Sequence, residues 1–397
     1  MRLADRMNII KPSGTIAMAE KARELARSGK KLYNLDVGEP DFDTPEHIKR
    51  AAIEALVSGF THYTSSLGII ELRRAIAEYL KDKKGLDVNP EKEVIVTPGA
   101  KHAIYCACMA TLNPGDEVLV LTPTWPTHFT CVEAAEAKVV EVPCGESYSL
   151  DEELLKRSIG NKTRMIIVNS PNNPTGGVLS VNELKAIADL AADHDLLVLS
   201  DEIYDEIIYD GFQTRSMASF DEIRENVILV NGFSKAYAMT GWRLGYTVAN
   251  ETIIDAMNRI QQATTTCPAS FVQKAGIAAL KGPQDCVRKI IEEFDKRRRY
   301  VVRALNEIPE VRCVMPRGAF YVFPRFLSVN MPSFEVSMRL LEEEGVSTTP
   351  GSVFGSCGEG HIRISYATSL EVIVEAVERI KNFVNKYSNV RVGDTIV

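Results

Sequence analysis

A lysine and an arginine stand in an otherwise small, aromatic and apolar stretch, NGFSKAYAMTGWRLG, at residues 231–245. Lys235 and Arg243 follow the apolar run VILV. Most lysines and arginines are solvated surface cations, so the surrounding sequence must decide whether these two do chemistry. A lysine amine can hold an aldehyde as a Schiff base, and an arginine fork can bind a phosphate or a carboxylate.

Other polar residues come directly after predicted strands. They are Gly99, Ala100 and Lys101 after EVIVT, Trp125 after EVLVL, Asn173 after RMIIV, and Asp201 and Tyr204 after LLVLS. Each has an ordinary interpretation on its own: a helix cap for Asp201, a core position for Trp125, and a tight turn for PNNPTGG. In an open α/β sheet, however, ligands bind outside the carboxyl ends of the strands. The recurrence of such residues at successive strand ends therefore favours one shared site.

An amine, an acid, a flat ring and a phosphate-binding helix start together suit pyridoxal 5′-phosphate. This cofactor needs an amine to hold its aldehyde, a carboxylate to keep its pyridine nitrogen protonated, and donors for its phosphate. Small residues that open a helix supply such donors through free backbone N–H groups. We therefore predict pyridoxal 5′-phosphate as the cofactor, held by Lys235.

The elements that must position these residues alternate between helices and short β-branched runs. We predict strands at 93–97, 117–121, 138–142, 164–168, 196–200, 227–230 and 243–249. The alternation is typical of an α/β fold with a mainly parallel sheet flanked by helices. After residue 285 the pattern changes to long helices and short strands. We predict a large cofactor-binding domain at 45–285 and a small α+β domain at 286–397, with residues 1–44 forming an N-terminal arm and part of the small domain.

Composition limits the classes of partner. A formal net charge of −7 and a pI near 5.6 argue against a nucleic-acid surface, so we expect small-molecule substrates. No apolar run is long enough for a membrane span. The eight cysteines show no C-x-x-C spacing, which favours reduced thiols and no metal site. Cytoplasmic residence is the resulting expectation.

Several motifs resemble one family in order and spacing along essentially the whole chain: VGEPDFDTP, HYTSSLGIIELRRAI, VTPGAKHA, PNNPTGG, SDEIYDEI, NGFSKAYAMTGWRLGY, RGAFYVFP and HIRISYA. The chain resembles the fold-type-I, class I pyridoxal-phosphate aminotransferases, in the subgroup of many bacterial and archaeal aspartate aminotransferases. The resemblance implies transfer of an amino group between an amino acid and a 2-oxo acid by a ping-pong cycle.

The resemblance also implies roles for the catalytic residues. Lys235 would carry the cofactor and then move a proton between the substrate α-carbon and the cofactor. Asp201 would pair with the pyridine nitrogen, and Tyr204 and Asn173 would bind the ring's phenolate oxygen. Trp125 would stack on the ring.

Binding roles follow from the same resemblance. Gly99, Ala100, Lys101, Ser234 and Arg243 would hold the cofactor phosphate. Tyr63 would reach the phosphate of the other subunit, which makes the active unit a homodimer. Arg363 and the backbone of Gly38 would hold the substrate α-carboxylate, with Trp125 and Asn173 beside it.

Two departures affect these expectations. Gly232 stands where some relatives have a serine or threonine, which leaves Ser234 as the nearer hydroxyl for the phosphate. No second arginine stands at a motif position suited to the side-chain carboxylate of a dicarboxylic substrate. Possible polar contacts are Lys11, Ser13, His102 and His128, although structural or surface roles suit each of them as well. Met109 and Phe129 suggest an apolar lining.

The substrate is therefore the most open point. We expect aspartate as the donor and 2-oxoglutarate as the acceptor, with aromatic or other neutral amino acids as the alternative. A pyridoxal-phosphate lyase, a non-enzymatic sensor fused to a DNA-binding module and a nucleotide-dependent oxidoreductase are weaker alternatives. The chain lacks a G-x-G-x-x-G after the first strand, and only about thirty residues precede the motifs.

Overall fold

The computed structural model describes residues 3–8 and 15–388. Its strands are β1 Tyr33–Asn34, β2 Val94–Thr97, β3 Glu117–Thr122, β4 Lys138–Pro143, β5 Thr163–Asn169, β6 Leu197–Asp201, β7 Val227–Gly232, β8 Gly245–Val248, β9 Val311–Arg312, β10 Tyr321–Val322, β11 Arg325–Phe326, β12 Val346–Ser347, β13 Thr349–Pro350 and β14 Ile362–Ser365.

The α-helices are α1 Thr15–Arg27, α2 Glu46–Val57, α3 Ile70–Lys84, α4 Ala100–Thr111, α5 Pro126–Ala134, α6 Glu152–Ser158, α7 Val181–Asp193, α8 Glu251–Thr264, α9 Ser270–Lys281, α10 Asp285–Asn306, α11 Ser333–Arg339 and α12 Leu370–Ser388.

The main sheet has seven strands in the order β2-β8-β7-β6-β5-β3-β4. Neighbouring strands from β7 to β4 pair in parallel, whereas β8 pairs antiparallel with both β2 and β7. The predicted mainly parallel sheet is confirmed. The last predicted strand, 243–249, is shorter than expected and begins at Gly245, because Arg243 has a φ of +54° that no extended strand adopts.

Apolar residues of the central strands bury both faces of this sheet. Ile167 and Leu199 belong to the core on one face, and Ile166 and Val198 to the core on the other. Successive side chains of a strand point to opposite faces. A strand covered on both sides therefore reads as a continuous apolar run, which is why these strands could be located from the sequence.

The carboxyl ends of β2, β3, β5, β6 and β7 meet at one edge of the sheet because these strands run in the same direction. Asn169 at the end of β5 is in register with Asp201 at the end of β6. The direction of the strands thus places the polar residues that follow them on a common rim.

Short strands form smaller sheets outside residues 45–285. Strand β1 pairs in parallel with β12, and β14 lies between β10 and β13. The β1–β12 pairing joins residues 33–34 to the C-terminal region. The division at residues 44 and 285 itself stays a prediction.

Two further features concern the whole described chain. None of the helices within residues 3–8 and 15–388 combines the length and apolar character that a membrane crossing requires. All eight cysteines are free thiols, four of them buried, and burial raises the pKa of Cys106 and Cys131 to about 12. These two thiols are therefore protonated near neutral pH.

We predict that Leu199→Ala, in the centre of the sheet, lowers the free energy of unfolding by about 2–5 kcal/mol, because Leu199 is fully buried and its truncation leaves a cavity. Denaturant unfolding of the cofactor-free protein measures this. Leu327 is 53% exposed, and Leu327→Ala should change stability by less than about 0.5 kcal/mol. Equal effects of the two substitutions would contradict the described core.

Candidate active site

A cavity of about 730 Å³ opens at the carboxyl edge of the main sheet. Most of the residues predicted for the site line it: Gly38, Ala100, Lys101, Trp125, Asn173, Asp201, Tyr204, Ser234, Lys235, Arg243 and Arg363. Gly99 borders the Arg243 guanidinium, whereas Tyr63 does not line the cavity and is 88% exposed. The fold thus brings residues from distant motifs to one place.

The Lys235 amine lies on the floor of this cavity. Its Nζ donates a hydrogen bond to the carbonyl oxygen of Gly38 at 2.6 Å. Burial, followed by repulsion from Arg363 and Arg243, lowers the pKa of Lys235 from 10.5 to about 8, against the opposite influence of Glu39 and Asp201. Far more of the amine is therefore neutral near physiological pH than in an ordinary lysine, and the neutral amine is the form that attacks a carbonyl.

Asp201 is a buried acid supported by a histidine. Its Oδ2 is 3.1 Å from Nε2 of His128, whose Nδ1 is 2.7 Å from Oγ1 of Thr124. Asp201 and His128 are both almost fully buried. The chain Thr124–His128–Asp201 fixes the carboxylate in one orientation, which suits an acid that must meet a cationic ring nitrogen.

The importance of His128 was missed in the sequence, where it was only a possible polar contact. The available signal was its spacing, because His128 follows Trp125 by one helical turn at the start of α5. The two rings are in edge contact, with centroids 5.8 Å apart. Sequence spacing alone could not show that the imidazole reaches Asp201 on another strand.

Arg363 is held at the opposite side of the cavity by backbone and side-chain oxygens. Its Nη1 donates to Oδ1 of Asn173 at 3.1 Å, and its Nη2 donates to Oγ1 of Thr349 at 3.1 Å and to the carbonyl oxygen of Asp36. The guanidinium carbon lies 4.7 Å from the ring centroid of Tyr321 and 5.2 Å from that of Phe354.

The Nε of Arg363 is buried and has no hydrogen-bond partner among the described residues. A buried, fixed and incompletely satisfied guanidinium is suited to receive a carboxylate.

Tyr204 is linked to Tyr321, a residue that sequence reasoning did not single out. Their hydroxyl oxygens are 2.8 Å apart, and burial raises the pKa of Tyr204 well above its usual value. Tyr321 also explains the glycine at position 38, because a Cβ on Gly38 would lie 2.5 Å from the Tyr321 hydroxyl oxygen. Because its pKa is raised, Tyr204 keeps its proton and remains a neutral hydrogen-bonding group.

The start of α4 lies close to the Arg243 guanidinium, an arrangement suited to an anion. Gly99 has a φ of +83°, and no side chain caps the helix that starts at Ala100. A Cβ on Gly99 would lie 2.4 Å from Nη2 of Arg243, and a Cβ on Gly245 would lie 2.5 Å from the backbone nitrogen of Ala100. Glycines at both positions keep the helix start and the guanidinium close together.

The glycine at position 232 has a similar packing reason. A Cβ there would lie 3.0 Å from Cα of Gly245 and 3.0 Å from the carbonyl oxygen of Leu244. Close pairing of β7 with β8 therefore disfavours a serine or threonine at this point. Ser234 is buried and lines the cavity, as the alternative hydroxyl.

Several expected contacts are not found at the cavity. His102 lies against Cys106, Thr264 and Thr265. Met109 and Phe129 pack on the hydrophobic core and do not line the cavity, so the expected apolar lining by these two residues is wrong. Their faces of α4 and α5 are turned toward neighbouring helices and the sheet. Lys11 and Ser13 lie outside the described residues.

Comparisons with known proteins agree with this architecture. The sequence profile of the family described as "Aminotransferase class I and II" matches residues 30–380. The chain is 43% identical over 385 residues to the aspartate aminotransferase of Pyrococcus abyssi, and 42% identical over 385 residues to aromatic-amino-acid aminotransferase 2 of Thermococcus litoralis. Each alignment covers 96% of this chain and 98% of the relative.

A solved structure shows the same fold. The aspartate aminotransferase from Rhizobium meliloti superposes with a TM-score of 0.93 at 38% identity, covering 97% of this chain and 99% of that chain. The chain belongs to the class I and II aminotransferases. It is an aminotransferase of the aspartate aminotransferase type and depends on pyridoxal 5′-phosphate.

The residues of the cavity fit this cofactor. The Lys235 amine, with its lowered pKa, suits the cofactor aldehyde. The buried Asp201 carboxylate suits the ring nitrogen. The start of α4 beside Arg243 suits the phosphate. The fit rests on the chemistry of the donors and on the close approach of the Arg243 guanidinium to the helix start, which the absence of a side chain at Gly99 permits.

We predict that attachment of the cofactor to Lys235 accelerates with pH through about 8 and then levels off, because a folded-state pKa of about 8 makes the amine neutral above that pH. Stopped-flow absorbance of the cofactor-free protein mixed with pyridoxal phosphate measures the profile.

Two variants test the cause of this pH dependence. In Arg363→Met the midpoint of the rate–pH profile should move to higher pH, because Arg363 repels the charged form of the Lys235 amine. Arg317→Met changes a residue outside the cavity lining and should leave the profile unchanged. A profile that keeps rising toward pH 10.5, the ordinary pKa of a lysine, would contradict a desolvated amine.

Proposed function

We propose that this aminotransferase transfers the amino group of L-aspartate to 2-oxoglutarate, with Lys235 as its catalytic base. The observation that carries the proposal is the placement of the Lys235 amine, with a depressed pKa, in the same cavity as Asp201 and the partly unsatisfied Arg363. An α-amino acid held by its carboxylate at Arg363 presents its α-carbon to that amine.

Pyridoxal 5′-phosphate, when bound, supplies a conjugated cationic ring that takes up the electrons released at the substrate α-carbon. Lys235 Nζ would hold the cofactor aldehyde, and the same amine is placed to carry a proton to and from the substrate α-carbon. Its lowered pKa allows both tasks near neutral pH.

Residues around the ring set its charge. Asp201, oriented by His128, would hold the pyridine nitrogen in its protonated form. Tyr204 and Asn173, which line the same cavity, would donate to the ring's phenolate oxygen, and Trp125 would cover the ring. Asn173 also accepts from Arg363 at 3.1 Å, so the same side chain aligns the cofactor ring with the substrate carboxylate.

The phosphate is assigned to the start of α4. Backbone N–H groups at Gly99, Ala100 and Lys101, the hydroxyl of Ser234 and the fork of Arg243 provide donors on converging elements. The α-carboxylate of the substrate is assigned to Arg363 together with the backbone at Gly38.

The active unit is proposed to be a homodimer in the cytoplasm. Tyr63 is 88% exposed in a single chain, and on the outer face of α2 Val57 is 84% and Ile53 is 57% exposed. Such a group of exposed apolar residues is typical of a subunit interface. In the dimer, Tyr63 of the partner subunit completes the phosphate site. Eight free thiols suit a reducing compartment.

The proposed preference for aspartate as the donor rests on Lys101, a cavity lysine whose side chain has no other assigned role. Among residues 3–8 and 15–388, four cationic side chains line the cavity: Lys101, Lys235, Arg243 and Arg363. The last three have assigned tasks, whereas the exposed amine of Lys101 lies 5.1 Å from the ring centroid of Trp125. It is therefore available to the side-chain carboxylate of aspartate. The name of the Pyrococcus abyssi relative supports aspartate.

Aromatic amino acids are the second candidate donors. The cavity volume of about 730 Å³ and the rings of Trp125, Tyr321 and Phe354 along its wall favour them. The name of the Thermococcus litoralis relative points the same way.

We predict that the purified protein with pyridoxal phosphate converts 2-oxoglutarate to glutamate when aspartate is the donor. Lys235→Ala should lower kcat by about 10²- to 10⁴-fold, because the positioned base is lost. Coupled assay of oxaloacetate and chromatographic assay of glutamate measure both products. Lys185→Ala, which changes an exposed surface lysine, serves as the control. Failure to form glutamate from any tested donor would overturn the proposal.

Donor specificity is tested by Lys101→Met, which removes the charge but keeps an apolar side chain near Trp125. We predict that kcat/KM for aspartate falls by about 10- to 100-fold, the value of a hydrogen bond between charged groups, while that for phenylalanine changes little. Lys138→Met, at an exposed ion pair, is the matched control. An equal loss for both donors would instead place Lys101 at the phosphate.

A further inference from the structure

A buried ion cluster lies behind the turn that carries Asp201 and Tyr204. Lys84, at the end of α3, places Nζ 2.6 Å from Oε2 of Glu202 and 2.6 Å from Oδ2 of Asp205. The side chains of Lys84, Glu202 and Asp205 are only 14%, 6% and 10% exposed. This Lys84 cluster, formed by these three residues, has no part in the reaction described above.

The residues of the turn at 201–205 line two different cavities. Asp201 and Tyr204 line the main cavity, whereas Glu202 and Asp205 line a separate cavity of about 330 Å³ together with Lys84. The backbone nitrogen of Asp205 donates to the carbonyl oxygen of Glu202 at 3.0 Å. Any shift of the two carboxylates is therefore transmitted to the two residues that face the cofactor.

The cluster also reaches the strand that leads to Lys235. The Oδ2 of Asp205 that contacts Lys84 accepts a hydrogen bond from Nδ2 of Asn231 at 2.8 Å. The Oδ1 of Asn231 in turn accepts from the backbone nitrogen of Gly232 at 2.7 Å. One carboxylate oxygen thus connects the Asp201–Tyr204 turn with the segment immediately before Lys235.

Neutral donors satisfy Glu202 but do not neutralise it. Its Oε1 accepts from Oγ of Ser200 at 3.0 Å, from Oγ of Ser216 at 2.8 Å and from the backbone nitrogen of Met217 at 3.1 Å. Within residues 3–8 and 15–388, Lys84 is the cation in ion-pair contact with Glu202 and with Asp205. Without it, two buried carboxylates would lie close together with no compensating charge, an arrangement that is strongly unfavourable.

The charge of Lys84 is permanent at any assay pH. Burial disfavours its charged form, but attraction to Asp205 and Glu202 outweighs this and raises its pKa far above the usual lysine value. The Lys84 ammonium is therefore a constant positive charge beside the two carboxylates.

We propose that Lys84 is a positioning residue for catalysis, whose ammonium holds Glu202 and Asp205 so that Asp201, Tyr204 and Lys235 keep their relative positions. The proposal rests on the roles assigned to those residues under the proposed function. Lys84 touches neither substrate nor cofactor. It acts through the turn after β6 and, by way of Asn231, through the end of β7.

The test compares Lys84→Met with Lys81→Met. Lys81 is on the same helix, but its ion pair with Asp87, at 3.3 Å, is exposed on both sides. We expect Lys84→Met to lower kcat with aspartate by up to about 100-fold, because small displacements of catalytic groups are costly. KM should change little, since Arg363 is untouched. Lys81→Met should behave like the wild type, and Lys84→Arg should recover most of kcat.

A second readout uses the cofactor-free protein and needs no activity. Hydrogen–deuterium exchange at a temperature where all variants are folded should be faster in Lys84→Met at residues 202–207 and 231–235, and unchanged in the distant β3 and β4. This measurement remains informative even if the wild type proves to transaminate nothing, so failure of the proposed function and failure of this proposal are distinguishable.

Two results would overturn the proposal: an unchanged kcat in folded Lys84→Met, or an exchange increase spread evenly over the protein, which indicates general destabilisation only. Should Lys84→Met not fold, Asn231→Ala decides, because it breaks only the connection between the turn and β7. The proposal then requires lower kcat and faster exchange at 231–235, and it is wrong if neither changes.

Discussion

Desolvation of the Lys235 amine is the interaction on which the rest of the site depends. An ammonium group in water has little tendency to give up its proton, but at the floor of the cavity it loses hydration and faces Arg363 and Arg243. The pKa falls to about 8, and the amine becomes a nucleophile and base. Glu39 and Asp201 oppose this effect without reversing it, and the Asp201 carboxylate is held at the same time by its contact with His128.

The cavity is cationic in a chain whose formal net charge is −7. In the described part of the chain, four lysine and arginine side chains line its volume of about 730 Å³, and the substrates proposed for it are anions. Oriented cations in a cleft raise the local concentration of anionic ligands. Because the Arg363 guanidinium is fixed by Asn173, Thr349 and the Asp36 carbonyl, little ordering is required when a carboxylate binds.

Much of the fold could be predicted because the main-sheet strands are buried on both faces and read as continuous apolar runs. The rim residues followed from strand direction alone, as with Asn173 after β5 and Asp201 at the end of β6. What could not be predicted were contacts between distant segments. Arg363 and Asn173 are 190 residues apart, and His128 and Asp201 are 73 apart.

Helix orientation was the other limit. The apolar Met109 and Phe129 were expected at the cavity, but packing of α4 and α5 turns them toward the core. The Lys84 cluster could not be predicted for a related reason. Lys84 is close to other lysines near the end of an amphipathic helix, and such a position predicts a solvent-exposed side chain. Only the packing of α3 against the turn after β6 brings it to two carboxylates.

The most direct test of a nucleophilic Lys235 amine is to trap its covalent adduct with pyridoxal phosphate. The cofactor-free protein is incubated with pyridoxal phosphate at pH 8, reduced with borohydride, digested and mapped by mass spectrometry. A desolvated, nucleophilic amine predicts one modified site per chain, at Lys235. Label spread over exposed lysines, or a chain that retains no label, would contradict the account.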